Sequence, residues 1–270
     1  MDPRPIGVFD SGLGGLTAVR QLRRLMPSED IIYFGDTARV PYGNRSRETV
    51  LKYARQDMRF LRQFDPKAVV IACGTVSSNC LETLQEENDI PVIGVVEPAV
   101  RRALQVSRFD RIGLIATRAS VSSGSYQKLF EQLNPNAKIF AKACPLFVPL
   151  VEEGRFHAGD MVIELVAEEY LRELRDLHVD TLVLGCTHYP LLTEIISGAM
   201  GGSVALVDAG QESARAIRTL LEEKDALAEE RTGQTRFFVS DRVADFERMA
   251  GAFLQQEIPC CAEQVDIGKY

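Results

Sequence analysis

With 270 residues, of which 46% are hydrophobic and 26% are charged, the chain has the composition of a soluble globular protein with a full core. Its length fits two modest domains. Acidic side chains outnumber basic ones by 38 to 31, which gives a formal net charge of −7. Because nucleic-acid partners need a basic surface, this balance argues against a nucleic acid as the main partner.

Short β-rich runs alternate with longer helical patterns along the chain, which is typical of parallel sheets flanked by helices. The predicted strands are residues 6–9, 31–34, 68–72, 92–95, 111–116, 137–140, 181–184 and 204–207. The predicted helices include residues 15–25, 47–64, 123–133 and 159–177. A further apolar run, 146–151, is predicted to be a strand, and the charged run 222–231 to be a solvated helix or loop.

The predicted strands form an internal repeat. Residues 6–9 match residues 112–115 at an offset of 106, and three later strands recur in the same order at offsets of 107, 113 and 112. We therefore predict an α/β fold of two similar open-sheet domains related by pseudo-two-fold symmetry. Since ligands bind at the carboxyl ends of strands in such sheets, the active site is expected in the cleft between the domains. The predicted first domain is discontinuous, residues 1–97 plus 208–270, and the second is residues 98–207.

The sequence also suggests where the protein resides. No basic and then apolar signal region precedes the first strand, and no stretch approaches the roughly 18 consecutive apolar residues of a membrane span. We predict a cytoplasmic protein without a membrane partner, whose cysteines are reduced thiols. The six cysteines form no CxxC pair, so no structural zinc site is expected.

A glycine-rich loop, residues 10–15, follows the first strand. Glycines permit a tight turn and let backbone N–H groups approach a carboxylate at a helix N-terminus. The alternative, a dinucleotide fingerprint, requires glycine or alanine at position 17, where Thr17 stands. Asp10 at the strand end would repel a pyrophosphate, whereas it suits an ammonium group. The loop therefore disfavours nucleotide binding.

Two cysteines occupy equivalent places in the two halves of the repeat. Cys73 follows the run 68–72 and begins a helix, and Cys186 follows the run 181–184. A helix N-terminus lowers the pKa of a thiol from about 8.5 toward neutrality, although most free cysteines are simply small buried residues. Because packing alone does not explain equivalent positions in a repeat, we predict that both cysteines are catalytic.

A pair of pseudo-symmetric thiols suits racemisation. This reaction needs a base on one face of a tetrahedral carbon and an acid on the other, with the roles exchanged for the mirror-image substrate. Hydrolysis by a Cys/His pair would need only one nucleophile. Both thiols then require pKa values near the working pH. Asp10 beside Cys73, and His188 beside Cys186, are the groups expected to move the protons.

Two other segments carry candidate site residues. Glu152 or Glu153, after the run 146–151, is expected to orient His188. The loop 36–43 is either a plain connection or a binding loop. In the second case Tyr42 and the Gly43 backbone amide are the ligand donors.

The segments FDSGLGGL, PYG, ACGT, PLVEEG and GCTHYPLL, which span Phe9 to Leu192, resemble those of the glutamate racemases of bacterial cell-wall synthesis, within the wider aspartate/glutamate racemase family. The resemblance implies facing α/β domains, frequent homodimers, and interconversion of L- and D-glutamate without pyridoxal phosphate or metal, supplying D-glutamate for peptidoglycan. It implies that Cys73 and Cys186 are the proton donor and acceptor. By position it assigns substrate contacts to Asp10, Ser11, Tyr42, Gly43, Gly74, Thr75, Thr187 and His188.

One position departs from the family pattern. Gly74 stands where the family usually has asparagine, so the side-chain amide is lost while the backbone N–H remains. This departure leaves racemisation of aspartate or another amino acid as an alternative, with a non-catalytic binding protein as a third hypothesis. Ser78 is a candidate to replace the missing amide. The other cysteines and histidines are expected to be structural or exposed, namely Cys80, Cys144, Cys260, Cys261, His157 and His178.

Overall fold

Two parallel β-sheets flanked by helices form the molecule, and the computed structural model describes residues 1–229, 232–255 and 262–270. In these ranges the strands are β1 Ile6–Asp10, β2 Ile31–Gly35, β3 Ala68–Ile71, β4 Val92–Ile93, β5 Arg111–Ala116, β6 Lys138–Ala143, β7 Thr181–Leu184, β8 Ala205–Asp208, β9 Thr235–Val239 and β10 Glu263–Gln264. The α-helices are α1 Leu16–Leu25, α2 Arg47–Arg62, α3 Gly74–Glu86, α4 Val96–Val106, α5 Arg118–Ser123, α6 Ser125–Leu133, α7 Phe147–Glu152, α8 Met161–Asp176, α9 Thr193–Met200, α10 Ala209–Glu223 and α11 Val243–Leu254. Short 3-10 helices lie at Tyr42–Asn44, Tyr189–Leu192 and Ile267–Lys269.

The strand order confirms the predicted repeat. The first sheet has the order β10-β9-β2-β1-β3-β4 and the second has the order β6-β5-β7-β8. The arrangement β2-β1-β3-β4 therefore recurs as β6-β5-β7-β8. The register recurs as well, because Gly7 in β1 pairs with residues of β2 and β3, and Gly113 in β5 pairs with residues of β6 and β7. The fold is two similar open α/β sheets, as the sequence predicts.

The chain after β8 returns to the first sheet. β9 pairs with β2 in parallel, and β10 pairs with β9. The boundaries predicted between residues 97 and 98 and between 207 and 208 fall inside α4 and β8. The division into residues 1–97 plus 208–270 and residues 98–207 stays a prediction.

Burial explains why the central strands are continuous apolar runs instead of alternating patterns. Every residue of β1, β2 and β3 is buried, as expected where helices cover both faces of a parallel sheet. Polar side chains of the candidate site instead lie at or just after the ends of the strands. Asp10 is the last residue of β1. Cys73 follows the carboxyl end of β3, and Cys186 follows that of β7.

The run 146–151 is helical, so the prediction of a strand there is wrong. α7 begins after Leu146, and Leu150 donates its backbone N–H to the Leu146 carbonyl at 3.2 Å. A short apolar run does not distinguish a buried strand from a buried helix, and here Phe147 and Val151, four residues apart, are the buried pair. The helix ends at Glu152, which is thereby presented to the cleft.

The charged run 222–231 is helical only at its start, since α10 ends at Glu223 and residues 226–229 have no regular structure. Residues 230 and 231 lie outside the described residues, as do Cys260 and Cys261. Within the described ranges no helix is both long and apolar enough to cross a membrane.

Candidate active site

A cavity of about 380 Å³ lies in the cleft between the two sheets, at the carboxyl ends of β1, β3, β5 and β7. Loops from both halves of the repeat line it. The predicted site residues among its lining are Ser11, Tyr42, Gly43, Cys73, Gly74, Thr75, Glu152, Cys186, Thr187 and His188.

Asp10 differs from the other predicted site residues, because its side chain is fully buried behind Ser11 and is not part of the cavity lining. The backbone N–H of Gly12 donates to its Oδ2 at 3.0 Å. Burial raises the pKa of Asp10, and the nearby charge of His188 opposes this increase. The charge of Asp10 therefore affects both Cys73, in the first half, and His188, in the second half.

Cys73 caps the N-terminus of α3 and is 4% exposed. Its Sγ–H donates to Ser11 Oγ at 3.4 Å. Burial, together with the charge of Asp10, raises the pKa of Cys73 to about 12, although the Ser11 hydroxyl and the Val76 backbone N–H, which can donate to a thiolate, act in the opposite direction. The expected fall toward neutrality is thus wrong, because burial outweighs the helix N-terminus. In this structure Cys73 is a thiol at neutral pH.

Cys186 lies on the opposite half, beside a histidine–carboxylate pair. His188 Nε2 lies 3.0 Å from Glu152 Oε1, and Nδ1 lies 3.4 Å from Thr187 Oγ1. Burial lowers the pKa of His188, but hydrogen bonds to Cys186 and Glu152 outweigh it and raise the pKa to about 10. A protonated imidazole therefore stands next to Cys186 at neutral pH. The structure also distinguishes the two glutamates, because Glu153 is exposed and does not line the cavity.

The loop that carries Tyr42 and Gly43 is anchored by a buried network. The Tyr42 hydroxyl donates to Asp36, and lies 3.2 Å from Asp57 Oδ2. Arg39 contacts the same two carboxylates, at 2.5 Å and 3.1 Å. Tyr42 lines the cavity, but its hydroxyl group is engaged by this network. Of the two donors predicted in this loop, Tyr42 is thus already engaged by protein carboxylates.

Thr117 and Arg118 line the cavity but were not predicted as site residues. The hydroxyl groups of Thr117 and Thr75 lie 3.1 Å apart, so a hydrogen bond joins the two halves at the cavity. A signal was present in the sequence, since Thr117 is separated from Ser11 by the same 106 residues as the repeated first strands. The repeat therefore relates residues around the cavity as well as the two cysteines.

Cys144 also lines the cavity, at the end of β6. It is fully buried, and its backbone carbonyl accepts a hydrogen bond from the Tyr189 hydroxyl at 2.9 Å. Cys80 is buried in the core of the first half, as predicted. Within the described part of the chain, no group of three His, Cys, Asp or Glu residues is arranged to hold a metal ion.

Ser78 does not replace the missing amide at position 74. Its side chain is absent from the lining of the catalytic cavity and lines a separate cavity that residues of α3, α4 and α6 share. Ser78 follows Gly74 by one turn of α3, which places it further along the helix than the residues that line the cleft, Gly74 and Thr75. The hypothesis of compensation by Ser78 is therefore wrong.

Comparison with known proteins decides the family. The profile of the family described as Asp/Glu/Hydantoin racemase matches residues 16–217. A glutamate racemase of Geobacter metallireducens is 46% identical over 252 residues, which are 93% of each chain. The chain belongs to the glutamate racemase family. As a member of this family it is an isomerase.

Solved structures of glutamate racemases have the same fold as this family member. The glutamate racemase of Francisella tularensis in complex with D-glutamate matches with a TM-score of 0.92 and 40% identity, over 100% of both chains. A glutamate racemase isoform of Bacillus anthracis matches with a TM-score of 0.93 and 36% identity, over 98% of this chain and 99% of that one.

Proposed function

We propose that this protein interconverts L- and D-glutamate, without a cofactor, by proton transfer at Cα between Cys73 and Cys186. The observation that carries the proposal is the placement of the two thiols. Each follows an equivalent strand of a repeated sheet, and both line one cavity between the two halves. Relatives named glutamate racemase, one of them solved with D-glutamate, support glutamate as the substrate.

The groups around the two sulfurs determine which cysteine carries a proton when the reaction starts. Cys73 begins as a thiol, because its pKa is raised to about 12 by burial. The imidazolium of His188, held by Glu152, stabilises negative charge on Cys186. The Cys186 thiolate then takes the Cα proton from one face, while the Cys73 thiol gives its proton to the other. For the mirror-image substrate the two cysteines exchange roles, which requires the opposite protonation state.

The remaining lining residues are suited to hold the two carboxylates and the ammonium group of an acidic amino acid. The backbone N–H groups of Gly74 and Thr75, at the start of α3, form an anion site at a helix N-terminus. Thr75, Thr117 and Thr187 add hydroxyl groups to the lining of the same cavity. Ser11 and Gly43 line it as well. Asp10, buried beside this site, supplies the negative charge that favours the ammonium group.

The biological role that we propose is the supply of D-glutamate for peptidoglycan, by a cytoplasmic homodimer. It rests on membership of the glutamate racemase family. No nucleic acid or membrane is required for the reaction.

Gly74 favours a second candidate function, racemisation of aspartate or another acidic amino acid. Loss of the asparagine side chain removes one polar group from the cavity, and Ser78 does not restore it. The backbone donors of α3 do not by themselves distinguish a longer acidic substrate from a shorter one. A comparison of the racemisation of glutamate and aspartate therefore decides between the two substrates.

The test is incubation of the purified protein with each enantiomer of glutamate in heavy water, without added cofactor. Circular dichroism would show inversion, and NMR would show deuterium at Cα. Parallel reactions with aspartate decide between the two substrates. Inversion of neither amino acid, with tight binding of glutamate, would instead establish a binding protein.

The role of the thiols is tested by Cys73→Ala and Cys186→Ala, each of which should abolish racemisation. Cys80→Ala is the matched control, because Cys80 is a buried thiol outside the cavity. Near-normal turnover in either of the first two variants would exclude the two-thiol mechanism.

A further inference from the structure

Arg118, the first residue of α5, lines the cavity between the two halves. It follows Thr117, whose hydroxyl group lies 3.1 Å from that of Thr75. The described lining residues that are exposed to solvent mark the opening of the cavity, which we call the cavity mouth: Val40, Pro41, Asn44, Arg118 and Pro149. Arg118 is the charged residue of this set, so the rim of the mouth has a positive charge.

The other charges at the cavity do not neutralise Arg118. Apart from the cysteines and tyrosines, the described lining residues with ionisable side chains are Arg118, Glu152 and His188. Glu152 Oε1 lies 3.0 Å from His188 Nε2, so these two charges compensate each other. Arg118 forms neither an ion pair nor a hydrogen bond with the residues that the structure describes. Its guanidinium group is therefore available to an anion that enters the cavity.

The surroundings of Tyr170 show where this charge lies. Burial raises the pKa of Tyr170, while the Leu146 N–H and the positive charge of Arg118 act in the opposite direction. The Tyr170 hydroxyl accepts the hydrogen bond from Leu146 at 3.3 Å. Pro145 and Val148, on either side of this residue, line the cavity. The charge of Arg118 is therefore felt on the side of the cavity that the segment before α7 forms.

We propose that Arg118 is a substrate-capture residue, which binds a carboxylate of the substrate at the cavity mouth. The inference rests on the proposed function, since it takes an acidic amino acid as the substrate. Such a molecule has two carboxylates and one ammonium group, and hence a net negative charge at neutral pH. The planar guanidinium of arginine matches a carboxylate with two parallel hydrogen bonds.

The overall charge of the protein explains why a local cation matters here. The chain has a formal net charge of −7, which repels an anionic substrate at long range. Salt screens this repulsion beyond about 8 Å at physiological ionic strength, so the potential at the mouth depends mostly on nearby charges. Arg118 supplies the positive charge at that place. Because Arg118 lines the same cavity, its charge also stabilises the bound anion.

The proposal predicts an effect on binding and none on proton transfer. The two enantiomers of the substrate have the same charge, so Arg118 favours the binding of both. The proton transfers at Cα depend instead on Cys73 and Cys186, which are buried, whereas Arg118 is exposed. Loss of the positive charge should therefore change KM in both directions and leave kcat unchanged.

The test is Arg118→Gln, which removes the charge and keeps a polar side chain. At low ionic strength we expect KM to rise about tenfold for both enantiomers, the lower end of the range for electrostatic focusing in a cleft, with kcat within about twofold. Added sodium chloride should raise the KM of the unmodified protein and change that of Arg118→Gln much less. Arg118→Lys keeps the charge and should retain the salt dependence.

Arg108→Gln is the matched control, because it changes the net charge by the same amount. Arg108 is exposed and precedes the first residue of β5, whereas Arg118 follows the carboxyl end of this strand. The two arginines thus lie at opposite edges of the second sheet. Arg108→Gln should leave KM and its salt dependence unchanged. An equal rise of KM in both variants would assign the effect to overall charge and overturn the proposal.

The outcomes separate the capture role from the proposed function. Absence of racemisation in the unmodified protein would refute the proposed function, and calorimetric titration with glutamate would then compare binding by Arg118→Gln and the unmodified protein. Racemisation by the unmodified protein, with KM and its salt dependence unchanged in Arg118→Gln, would overturn the capture role alone. A lower kcat with an unchanged KM would also overturn it, since Arg118 would then act on the proton transfers.

Discussion

The hydroxyl groups of Thr75 and Thr117 lie 3.1 Å apart and connect the two halves of the molecule at the wall of the cavity. Thr75 is the second residue of α3, whereas Thr117 caps α5 through a hydrogen bond from the Ser120 N–H. One hydroxyl pair therefore links the N-terminal ends of two helices that belong to different sheets. Under the proposed function, both hydroxyl groups lie in the cavity that receives the carboxylates of the substrate.

Thr117→Val should weaken substrate binding. The replacement keeps the shape of the side chain but removes the hydroxyl group, and loss of one hydrogen bond costs about 1 kcal/mol, or roughly a fivefold to tenfold rise in KM. Steady-state kinetics with both enantiomers would measure it. Thr193→Val is a suitable control, since Thr193 is an exposed residue at the start of α9. An unchanged KM would show that the hydroxyl pair is only a structural link.

Glu152→Gln should move the alkaline limit of activity to lower pH. The carboxylate of Glu152 helps to raise the pKa of His188 to about 10, so its removal lowers that pKa. The protonated imidazole, which stabilises a thiolate at Cys186, would then be lost at a lower pH. The measurement is the pH profile of kcat/KM, with Glu153→Gln as the control because Glu153 is exposed. Identical alkaline limits in Glu152→Gln and the unmodified protein would contradict this role.

His188 should also make the free energy of unfolding depend on pH. Its pKa is about 10 in the folded chain, against 6.5 for a free histidine, so the folded state holds the proton more tightly. The resulting stabilisation is complete below pH 6.5 and is lost as the pH rises toward 10, by about 1.4 kcal/mol per pH unit. Urea titrations at several pH values would show this slope, and His188→Gln should flatten it. A slope that His188→Gln leaves intact would assign the effect to other groups.

Tyr42→Phe should reduce stability and raise KM together. Without the hydroxyl donor, the buried carboxylates of Asp36 and Asp57 lose a partner, which costs about 1–3 kcal/mol. Burial, with the charge of Asp36, already raises the pKa of Asp57 well above its usual value. Urea unfolding and steady-state kinetics would be compared with Tyr53→Phe, whose ring packs against Tyr42. A rise in KM without any loss of stability would indicate direct contact between the Tyr42 hydroxyl and substrate.

Much of this architecture could be predicted from the sequence, because the repeated strands are recognisable as apolar runs that recur in the same order. Completely buried strands appear as apolar runs, and equivalent runs end at Cys73 and at Cys186. Local patterns predicted the wrong secondary structure where the burial of side chains in the folded protein decides between helix and strand. Residues 146–151 form a helix because two of their apolar side chains, four apart, are buried, and an apolar run does not show that spacing uniquely.

The electrostatic properties of the site were the least predictable. Proximity to a helix N-terminus suggests a low pKa for Cys73, yet burial has the larger and opposite effect. The hydrogen bonds of the Tyr42 hydroxyl could not be predicted from the local sequence either. Asp57 lies fifteen residues away along the chain, and the packing of α2 brings it to the loop. Thr117 was detectable from the repeat, which relates it to Ser11.

The burial of the two thiols has a kinetic consequence. Cys73 is 4% exposed and Cys186 is 8% exposed, so little of either residue faces bulk solvent, and both line the cavity of about 380 Å³ between the two halves. Each turnover must include entry of substrate into this cavity and release of product from it. The slower of these two steps sets an upper bound on turnover that is independent of the chemistry at Cα. Solvent viscosity would then affect the rate of the reaction even where the proton transfers themselves are fast.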